Sequence, residues 1–268
     1  SRKCHQYVLE SIGVMNLHAK VIGVGQPFII LHGFLGMGDN WKTMALRFSK
    51  LGYQIHLIDQ RNHGRSFHDD KFDYELLTQD LMRYCTQNAI EKCILLGHSM
   101  GGKTAMLFTA LYPSLVHRLI VADIAPRFYP VHHNAILEGL DSLDFSQIKS
   151  RKQADEKLSE YISELGIRQF LLKNLYWIQP GQLALRINLK ALKKNVAEVG
   201  EALPAQMSVE RSTLFLKGDW SEYIGPDDEK QISVQFSNVR IETIPNAGHW
   251  LHAENPEAFF AAVSNFLS

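Results

Sequence analysis

The feature that most constrains how this 268-residue chain can fold is a serine flanked by glycines, in the run Gly97-His98-Ser99-Met100-Gly101-Gly102. Apolar residues 93–96 before it predict a short buried strand, and residues 101–112 after it predict a helix. A strand that passes so abruptly into a helix needs a strained turn, in which side chains two residues either side of Ser99 would collide. Gly97 and Gly101 avoid that collision because they have no side chain. The pattern therefore predicts a tight turn that raises the Ser99 hydroxyl above the end of a sheet.

The chain on both sides of this turn alternates between strand-like and helix-like runs. An N-terminal hairpin is predicted from residues 7–12 and 15–23, and further strands at 27–32, 53–59, 93–96, 119–124, 212–217 and 239–244. Helices are predicted at 40–51, 76–90, 101–112 and 227–236, and a last helix begins with Asn255 as N-cap and Pro256 at its first position. This alternation predicts an α/β fold with a mostly parallel sheet covered by helices on both faces.

The alternation is interrupted between about Pro126 and Pro204, where only helices are predicted, at 134–143, 151–164, 167–178 and 188–203. We therefore divide the chain into a core of residues 1–125 and 205–268 and an inserted helical lid of residues 126–204. Such an insertion would cover the C-terminal ends of the strands, where open α/β sheets bind their ligands.

Composition and charge exclude several classes of function. Lys and Arg together number 28, as do Asp and Glu, so there is no basic excess for binding nucleic acid. No run reaches the roughly 18 apolar residues of a membrane-spanning helix, and the polar N-terminus does not resemble a signal peptide. An odd count of three cysteines suits a reducing compartment. We therefore expect a cytoplasmic protein without a membrane span, in which Cys85 and Cys93 are small buried side chains.

Two kinds of chemistry fit the glycine-flanked serine. Residues 97–101 match G-x-S-x-G, the nucleophile elbow of serine hydrolases, which places the Met100 amide at a helix N-terminus where it can stabilise an oxyanion. Residues 97–104 also match G-x-x-x-x-G-K-[ST], the phosphate-binding loop of NTPases, and Asp123 at the end of an apolar strand could then bind magnesium. This motif alone does not separate the two interpretations.

Three other features favour the hydrolase. The run His32–Gly36 follows the strand predicted at 27–32, and the amide of Phe34 in that run can be the second donor to an oxyanion. His249 follows the last predicted strand, where the elbow fold needs its general base. A phosphate-binding loop usually follows the first strand of its domain, whereas several predicted strands precede residue 97.

Taken together, these segments resemble the α/β-hydrolase superfamily and, within it, the small bacterial YbfF-type esterases and their mitochondrial relatives. The matching runs extend over nearly the whole predicted core and are His32–Gly36, Asp59–Ser66, Gly97–Lys103, Asp123–Pro126 and Gly248–Glu254, with Gln169–Lys173 as a loose match in the lid. The resemblance implies an α/β-hydrolase fold and hydrolysis of carboxylic esters, including acyl thioesters. We expect a preference for short to medium acyl chains.

Two aspartates compete for the role of the acid that orients His249. In most of the superfamily the acid is the last residue of a G-x-x-D pattern, but the stretch Gly218-Asp219-Trp220-Ser221 has Ser221 there. The YbfF-type families instead take the acid from the end of the strand after the elbow helix, where this chain has Asp123. The resemblance therefore favours Asp123 as the residue that holds the imidazole tautomer, and Asp219 stays open as the alternative.

The substrate contacts are predicted more loosely. We expect Leu35, Phe170 and Trp250 to bind the substrate, although core packing of a lid helix explains Phe170 equally well. His32 and His98 flank the predicted site and are interpreted as structural hydrogen-bonding residues, and the run Asp59–Ser66 as a structural loop.

No metal or cofactor site is predicted, because the pairs His132–His133 and His249–His252 lack a third ligand and the spacing of a zinc site. The predicted reaction is attack of Ser99 on an acyl carbonyl with His249 as base, followed by hydrolysis of an acyl-enzyme. The alternatives within the fold are a carbon–carbon bond hydrolase or a lyase with the same triad, and a catalytically silent receptor.

Overall fold

A seven-stranded sheet forms the centre of the computed structural model, which describes residues 15–268. The strands are β1 (Ala19–Ile22), β2 (Gln26–Leu31), β3 (Tyr53–Ile58), β4 (Cys93–His98), β5 (Val116–Ala122), β8 (Ser212–Gly218) and β9 (Val239–Ile244). Their order in the sheet is β1-β3-β2-β4-β5-β8-β9. Strand β1 pairs with β3 in antiparallel fashion and every other neighbouring pair is parallel. The C-terminal ends of β2, β4 and β5 therefore lie at the same edge of the sheet.

The helices of the core are α1 (Lys42–Ser49), α2 (Tyr74–Gln87), α3 (Met100–Leu111), α9 (Pro226–Gln235), α10 (Leu251–Glu254) and α11 (Pro256–Leu267). They cover both faces of the sheet because the strand residues are apolar on both sides, as parallel strands usually are. Phe28 and Ile30 of β2 pack with side chains of α1 and α11, whereas Ile29 and Leu31 pack with side chains of α2 and α3. The mostly parallel α/β fold predicted from the sequence is thus confirmed.

The predicted N-terminal hairpin lies only partly within the residues that the structure describes. Its first strand, residues 7–12, lies outside the described residues. Within its second half, residues 19–22 form β1 and pair with β3. At the other end of the chain, the predicted cap is confirmed: the Asn255 side chain accepts a hydrogen bond from the amide of Ala258 at 3.2 Å.

The prediction of an all-helical segment between residues 126 and 204 is wrong. The segment contains helices α4 (Asn134–Asp141), α5 (Arg151–Leu158), α6 (Leu165–Leu172), α7 (Leu189–Lys194) and α8 (Val196–Gly200). It also contains an antiparallel hairpin of β6 (Leu175–Gln179) and β7 (Gln182–Leu185). The predicted helix 167–178 therefore stops at Leu172, and its last part is a strand.

The local chemistry explains this hairpin. Tyr176, Trp177 and Ile178 are aromatic or β-branched residues that favour strands. Pro180 and Gly181 join the two strands, and Gly181 has φ +81°, a conformation that suits a turn with proline followed by glycine. The spacing of Leu171, Leu175 and Ile178 mimicked a helix, although only Leu171 lies in one.

The two ends of the inserted segment meet at the sheet edge. The amide of Leu203 donates a hydrogen bond to the carbonyl of Pro126 at 2.9 Å, and the amide of Tyr129 donates to the carbonyl of Gly200 at 2.8 Å. Residues 126–204 thus leave the core and return to it through adjacent backbone.

Cys85 and Cys93 are buried, as predicted, and neither is in a disulfide bond. Between residues 15 and 268 the structure has no helix that is both long and apolar enough to cross a membrane.

Candidate active site

Ser99 lies in the predicted tight turn between β4 and α3. Its backbone has φ +54° and ψ −119°, a strained conformation for a residue with a side chain. A Cβ atom on Gly97 would lie 2.1 Å from the carbonyl oxygen of Gly101, and one on Gly101 would lie 2.3 Å from that of Leu31. Both glycines are therefore required sterically, as the sequence predicted, and they allow α3 to begin directly after the serine.

His249 lies between Ser99 and Asp123. The Ser99 hydroxyl lies 2.9 Å from Nε2 of His249, and Nδ1 of His249 lies 2.7 Å from Oδ2 of Asp123. With the ring proton on Nδ1, the imidazole donates to the carboxylate and accepts from the serine hydroxyl. The three side chains come from positions 99, 123 and 249, so only the folded chain brings them together.

Asp123 is completely buried at the end of β5, with φ +55°. Besides His249, its carboxylate accepts hydrogen bonds from the Ser221 hydroxyl at 2.5 Å and from the Gly218 amide at 3.2 Å. These donors compensate for burying the carboxylate, as a buried charge requires.

Asp219, the alternative acid, has other partners. Its carboxylate accepts hydrogen bonds from the amides of Asn246 at 2.9 Å and Ala247 at 3.0 Å. These two amides lower the pKa of Asp219. Asp219 therefore holds the loop that leads to His249 without bonding to the imidazole itself.

Two backbone amides near Ser99 have no acceptor in the part of the chain that the structure describes. They belong to Phe34, in the loop after β2, and to Met100, the first residue of α3. The Phe34 loop passes close to the serine, since a Cβ atom on Gly33 would lie 3.4 Å from the Cβ of Ser99. These are the two amides that the sequence predicted as oxyanion donors.

Buried histidines hold the Phe34 loop in place. The ring of His32 donates from Nδ1 to the carbonyl of Gly33 at 2.8 Å and accepts at Nε2 from the amide of Gln60 at 2.9 Å. The ring of His63 accepts from the amide of Leu35 at 3.0 Å. Burial lowers the pKa of His32 to about 4 and that of His63 to about 3, so both rings are neutral near pH 7. The structural role predicted for His32 is confirmed, and His63 supports the structural role predicted for the run Asp59–Ser66.

The structural roles predicted for the Asp59–Ser66 loop and His98 are also confirmed. The carboxylate of Asp59 accepts from the amides of Gly38 at 2.7 Å and Arg65 at 2.9 Å. The ring of His98 donates from Nε2 to the carbonyl of His249 at 2.7 Å. Burial holds the pKa of His98 well below its ordinary value.

Tyr223 is a site residue that the sequence analysis missed. Its ring stacks on the imidazole of His249, with centroids 3.9 Å apart and planes 15° from parallel. Its position two residues after Ser221, the superfamily's usual acid position, was the one available signal.

A cleft of about 370 Å³, including its open mouth, lies beside Ser99. Its walls come from the Phe34 loop, the start of the inserted segment and α8, and include Phe34, Ile124, Tyr129, His133, Val196, Val199 and Tyr223. The three predicted substrate-binding residues do not line this cleft. Leu35 is only 2% exposed, and the ring of Phe170 packs against that of Trp250 at 5.8 Å, next to His249.

The phosphate-loop interpretation fails at Lys103. A phosphate-binding lysine must reach its ligand. The Lys103 side chain is instead buried, and its ammonium donates to the carbonyls of Arg127 at 2.7 Å, Glu201 at 2.6 Å and Gly200 at 3.4 Å. Lys103 therefore bonds to both ends of the inserted segment.

This arrangement can carry out nucleophilic acyl transfer. A hydroxyl bonded to an imidazole that a carboxylate orients is the arrangement that activates a serine, and two free amides nearby suit a developing oxyanion. No step of this chemistry requires a metal or a cofactor.

Comparison with known proteins agrees with this chemistry. The family described as the alpha/beta hydrolase fold matches residues 26–149. The sn-1-specific diacylglycerol lipase ABHD11 of Mus musculus is 36% identical over 90% of this chain and 80% of its own length. Esterase YbfF of Escherichia coli is 33% identical over 90% of this chain and 93% of its own length. A solved structure described as a marine microorganism esterase has a TM-score of 0.91 and 41% identity, covering 94% of this chain and 99% of its own.

Proposed function

We propose that this chain, which belongs to the α/β-hydrolase family and lies close to the YbfF-type esterases, is a serine esterase that hydrolyses carboxylic esters and acyl thioesters. The observation that carries the proposal is the pair of hydrogen bonds of His249, at 2.9 Å to Ser99 and 2.7 Å to Asp123. Relatives that match along most of the chain are named as an esterase and a lipase, which supports ester hydrolysis as the reaction.

In the proposed mechanism Ser99 attacks the ester carbonyl while His249 accepts the hydroxyl proton at Nε2. The carbonyl oxygen becomes an oxyanion that accepts hydrogen bonds from the amides of Phe34 and Met100. The imidazolium then protonates the leaving alcohol or thiol, and the acyl group stays on Ser99. A water molecule that gives its proton to His249 attacks the acyl-enzyme, which releases the acid and restores the serine.

Asp123 is proposed to keep the ring proton of His249 on Nδ1 and to stabilise the imidazolium. Its burial and its bonds from Ser221 and Gly218 support this role, because they hold the carboxylate in one orientation. The exposed Asp219 is accounted for by its bonds to Asn246 and Ala247.

Residues 126–204 are proposed to be a lid, with the start of the segment and α8 forming walls of the cleft beside Ser99. The largely apolar wall of Ile124, Val196 and Val199 suits an acyl chain. The preference for short to medium chains stays the expectation that the family resemblance implies. Leu35, Phe170 and Trp250 stay predicted substrate contacts, with Phe170 and Trp250 forming a second apolar surface beside His249.

The proposal is tested by labelling with a fluorophosphonate and by hydrolysis of p-nitrophenyl esters of increasing chain length. We expect the wild-type protein to be labelled and to favour the acetate to octanoate range. Ser99→Ala should lose the label and reduce turnover by a factor on the order of 10⁶. A Ser99→Ala protein that is folded, as judged by circular dichroism, and keeps a tenth of wild-type activity would contradict the proposal.

A further inference from the structure

Leu35, which follows Phe34 in the loop after β2, has a backbone conformation that residues with side chains rarely adopt. Its φ is +65°, and the amide of Gly36 donates to the carbonyl of Gly33 at 3.1 Å, which closes a turn with Phe34 and Leu35 at its centre. In a turn with positive φ at the second central residue, as in type II, that residue is usually glycine or asparagine. A leucine there is strained, and such strain persists only where surrounding contacts hold the backbone.

Two side chains hold the backbone of Leu35 in this conformation. Nε2 of His63 accepts a hydrogen bond from the Leu35 amide at 3.0 Å, and Nδ2 of Asn174 donates one to the Leu35 carbonyl at 2.9 Å. His63 is completely buried, and Asn174 and Leu35 are only 1% and 2% exposed. Because water has so little access to these groups, it cannot readily replace either bond. Leu35 is therefore fixed at both its amide and its carbonyl.

His63 belongs to the core, whereas Asn174 belongs to the inserted segment, between α6 and β6. Nδ2 of Asn174 also donates to the carbonyl of Leu171 at 3.1 Å, so the amide faces two carbonyls and must present its nitrogen to them. The backbone carbonyl of Asn174 accepts from the amide of Arg186 at 2.8 Å, at the base of the β6–β7 hairpin. Helix α6 and the hairpin thus hold a hydrogen-bond donor of the inserted segment against the Phe34 loop.

We propose that Asn174 is a positioning residue for the oxyanion donor, because it holds Leu35 in the strained conformation that keeps the neighbouring Phe34 amide directed at the oxyanion. This inference rests on the proposed esterase function. Without the bond from Asn174, Leu35 can relax to negative φ, and this rotation displaces Phe34, the adjacent central residue of the same turn. The inserted segment then contributes to the rate of the reaction in addition to forming walls of the cleft.

Asn174→Leu tests the proposal, since it replaces the amide with an apolar side chain of nearly the same size. A displaced donor stabilises the oxyanion less but does not change the binding of the uncharged ester. We therefore expect kcat for p-nitrophenyl butyrate to fall about tenfold while KM changes less than about twofold. An alkyl trifluoromethyl ketone, which Ser99 converts to a charged tetrahedral adduct, should bind more weakly by the same factor as the fall in kcat.

Asn195→Leu is the matched control. Nδ2 of Asn195, also in the inserted segment, donates to the carbonyl of Asp70 in the core and to that of Ala191 in α7, both at 2.8 Å. These are the same kinds of bond as those of Asn174, but the core carbonyl lies outside the Phe34 loop. Asn195→Leu should therefore keep the wild-type kcat and ketone affinity, even if it loosens the inserted segment.

A double variant shows whether Asn174 acts through the Phe34 amide. Phe34→Pro removes that amide, so adding Asn174→Leu to Phe34→Pro should lower kcat less than about twofold further. Folding of each variant is checked by circular dichroism and thermal melting. If Asn174→Leu does not fold, Asn174→Ala removes the same donor with a smaller side chain, and the same results are expected of it.

Three results would overturn the proposal. They are wild-type kcat and ketone affinity in a folded Asn174 variant, an equal loss in Asn195→Leu, and a further tenfold loss when Asn174→Leu is added to Phe34→Pro. In each case, a wild-type protein that hydrolyses esters and is labelled by fluorophosphonate retains the proposed esterase function. Absence of both labelling and hydrolysis in the wild-type protein would instead refute the esterase function and this inference with it.

Discussion

The Ser221 hydroxyl donates a hydrogen bond to the Asp123 carboxylate, with Oγ 2.5 Å from Oδ2. The same oxygen of Asp123 accepts the bond from Nδ1 of His249 at 2.7 Å. Ser221 occupies the position where most of the superfamily has its acid, so the two alternative acid positions lie close enough to touch. In this chain the carboxylate is Asp123, directly after β5. Ser221, in the loop after β8, supplies a hydroxyl that orients this carboxylate.

This relationship predicts that substitution of Asp123 and substitution of Asp219 have different effects on turnover. Asp123→Asn should lower turnover by a factor on the order of 10⁴, because a neutral amide no longer enforces the productive imidazole tautomer. Asp219→Asn should cost less than about tenfold, because it weakens only the loop before His249. Steady-state kinetics with p-nitrophenyl butyrate would measure both, and a larger loss in Asp219→Asn would reverse the assignment.

Two substitutions of Phe34 separate the role of its backbone amide from that of its side chain. Phe34→Pro removes the amide proton, and losing one oxyanion donor costs roughly 10²–10³ in turnover. Phe34→Ala keeps the amide and should mainly change the preference for acyl chains, since the ring lines the cleft. Both variants would be compared by kcat after their folding is checked by thermal melting. Equal, mild losses would argue against Phe34 as the donor.

Lys103 is expected to stabilise the connection between core and inserted segment. Lys103→Met keeps most of the volume but removes the donor to the carbonyls of Arg127, Gly200 and Glu201. Loss of these bonds should reduce the free energy of unfolding by about 1–3 kcal/mol, measured by urea denaturation, because the partly buried carbonyls of Arg127 and Glu201 lose this donor. The carbonyl of Gly200 keeps its bond from the amide of Tyr129. The exposed Lys190→Met is the control and should change it little. A Lys103→Met protein as stable as the control would mean that these bonds contribute nothing.

The buried histidines under the Phe34 loop predict how stability depends on pH. Burial lowers the pKa of His32 to about 4 and that of His63 to about 3, whereas both titrate near 6.5 in an unfolded chain. Between these values the unfolded state binds more protons, so stability is complete above pH 6.5 and is lost as the pH falls towards 4.

Each such histidine should contribute a slope of up to about 1.4 kcal/mol per pH unit in this range. Denaturation of the wild-type protein and of His63→Asn at pH 7.5, 6 and 5 would measure it. The variant should be less stable at pH 7.5 but should lose less stability on acidification. Parallel pH profiles would show that His63 does not stay neutral in the folded state.

The core fold could be predicted from the sequence because its signals are local. Apolar runs such as residues 27–32 and 93–96 are typical of strands that are buried on both faces, as in a parallel sheet. The glycines around Ser99 allow the tight turn, because a Cβ atom on Gly97 or Gly101 would clash with the backbone. The inserted segment was less predictable, since Leu171, Leu175 and Ile178 fit a helix by spacing alone. In this part of the chain the turn at Pro180–Gly181 and the pairing of β6 with β7 favour a hairpin, although the hydrophobic spacing fits a helix.

The sequence by itself determined the chemical types of the candidate site: a serine on a strained turn, a histidine after the last strand and two candidate acids. Which acid faces the histidine was decided by the tertiary structure, because it depends on how β5 and β8 are aligned in the sheet. The same holds for the stacking of Tyr223 on His249. Contacts between residues distant in the chain depend on three-dimensional packing. The spacing of hydrophobic residues indicates local secondary structure and does not predict these contacts.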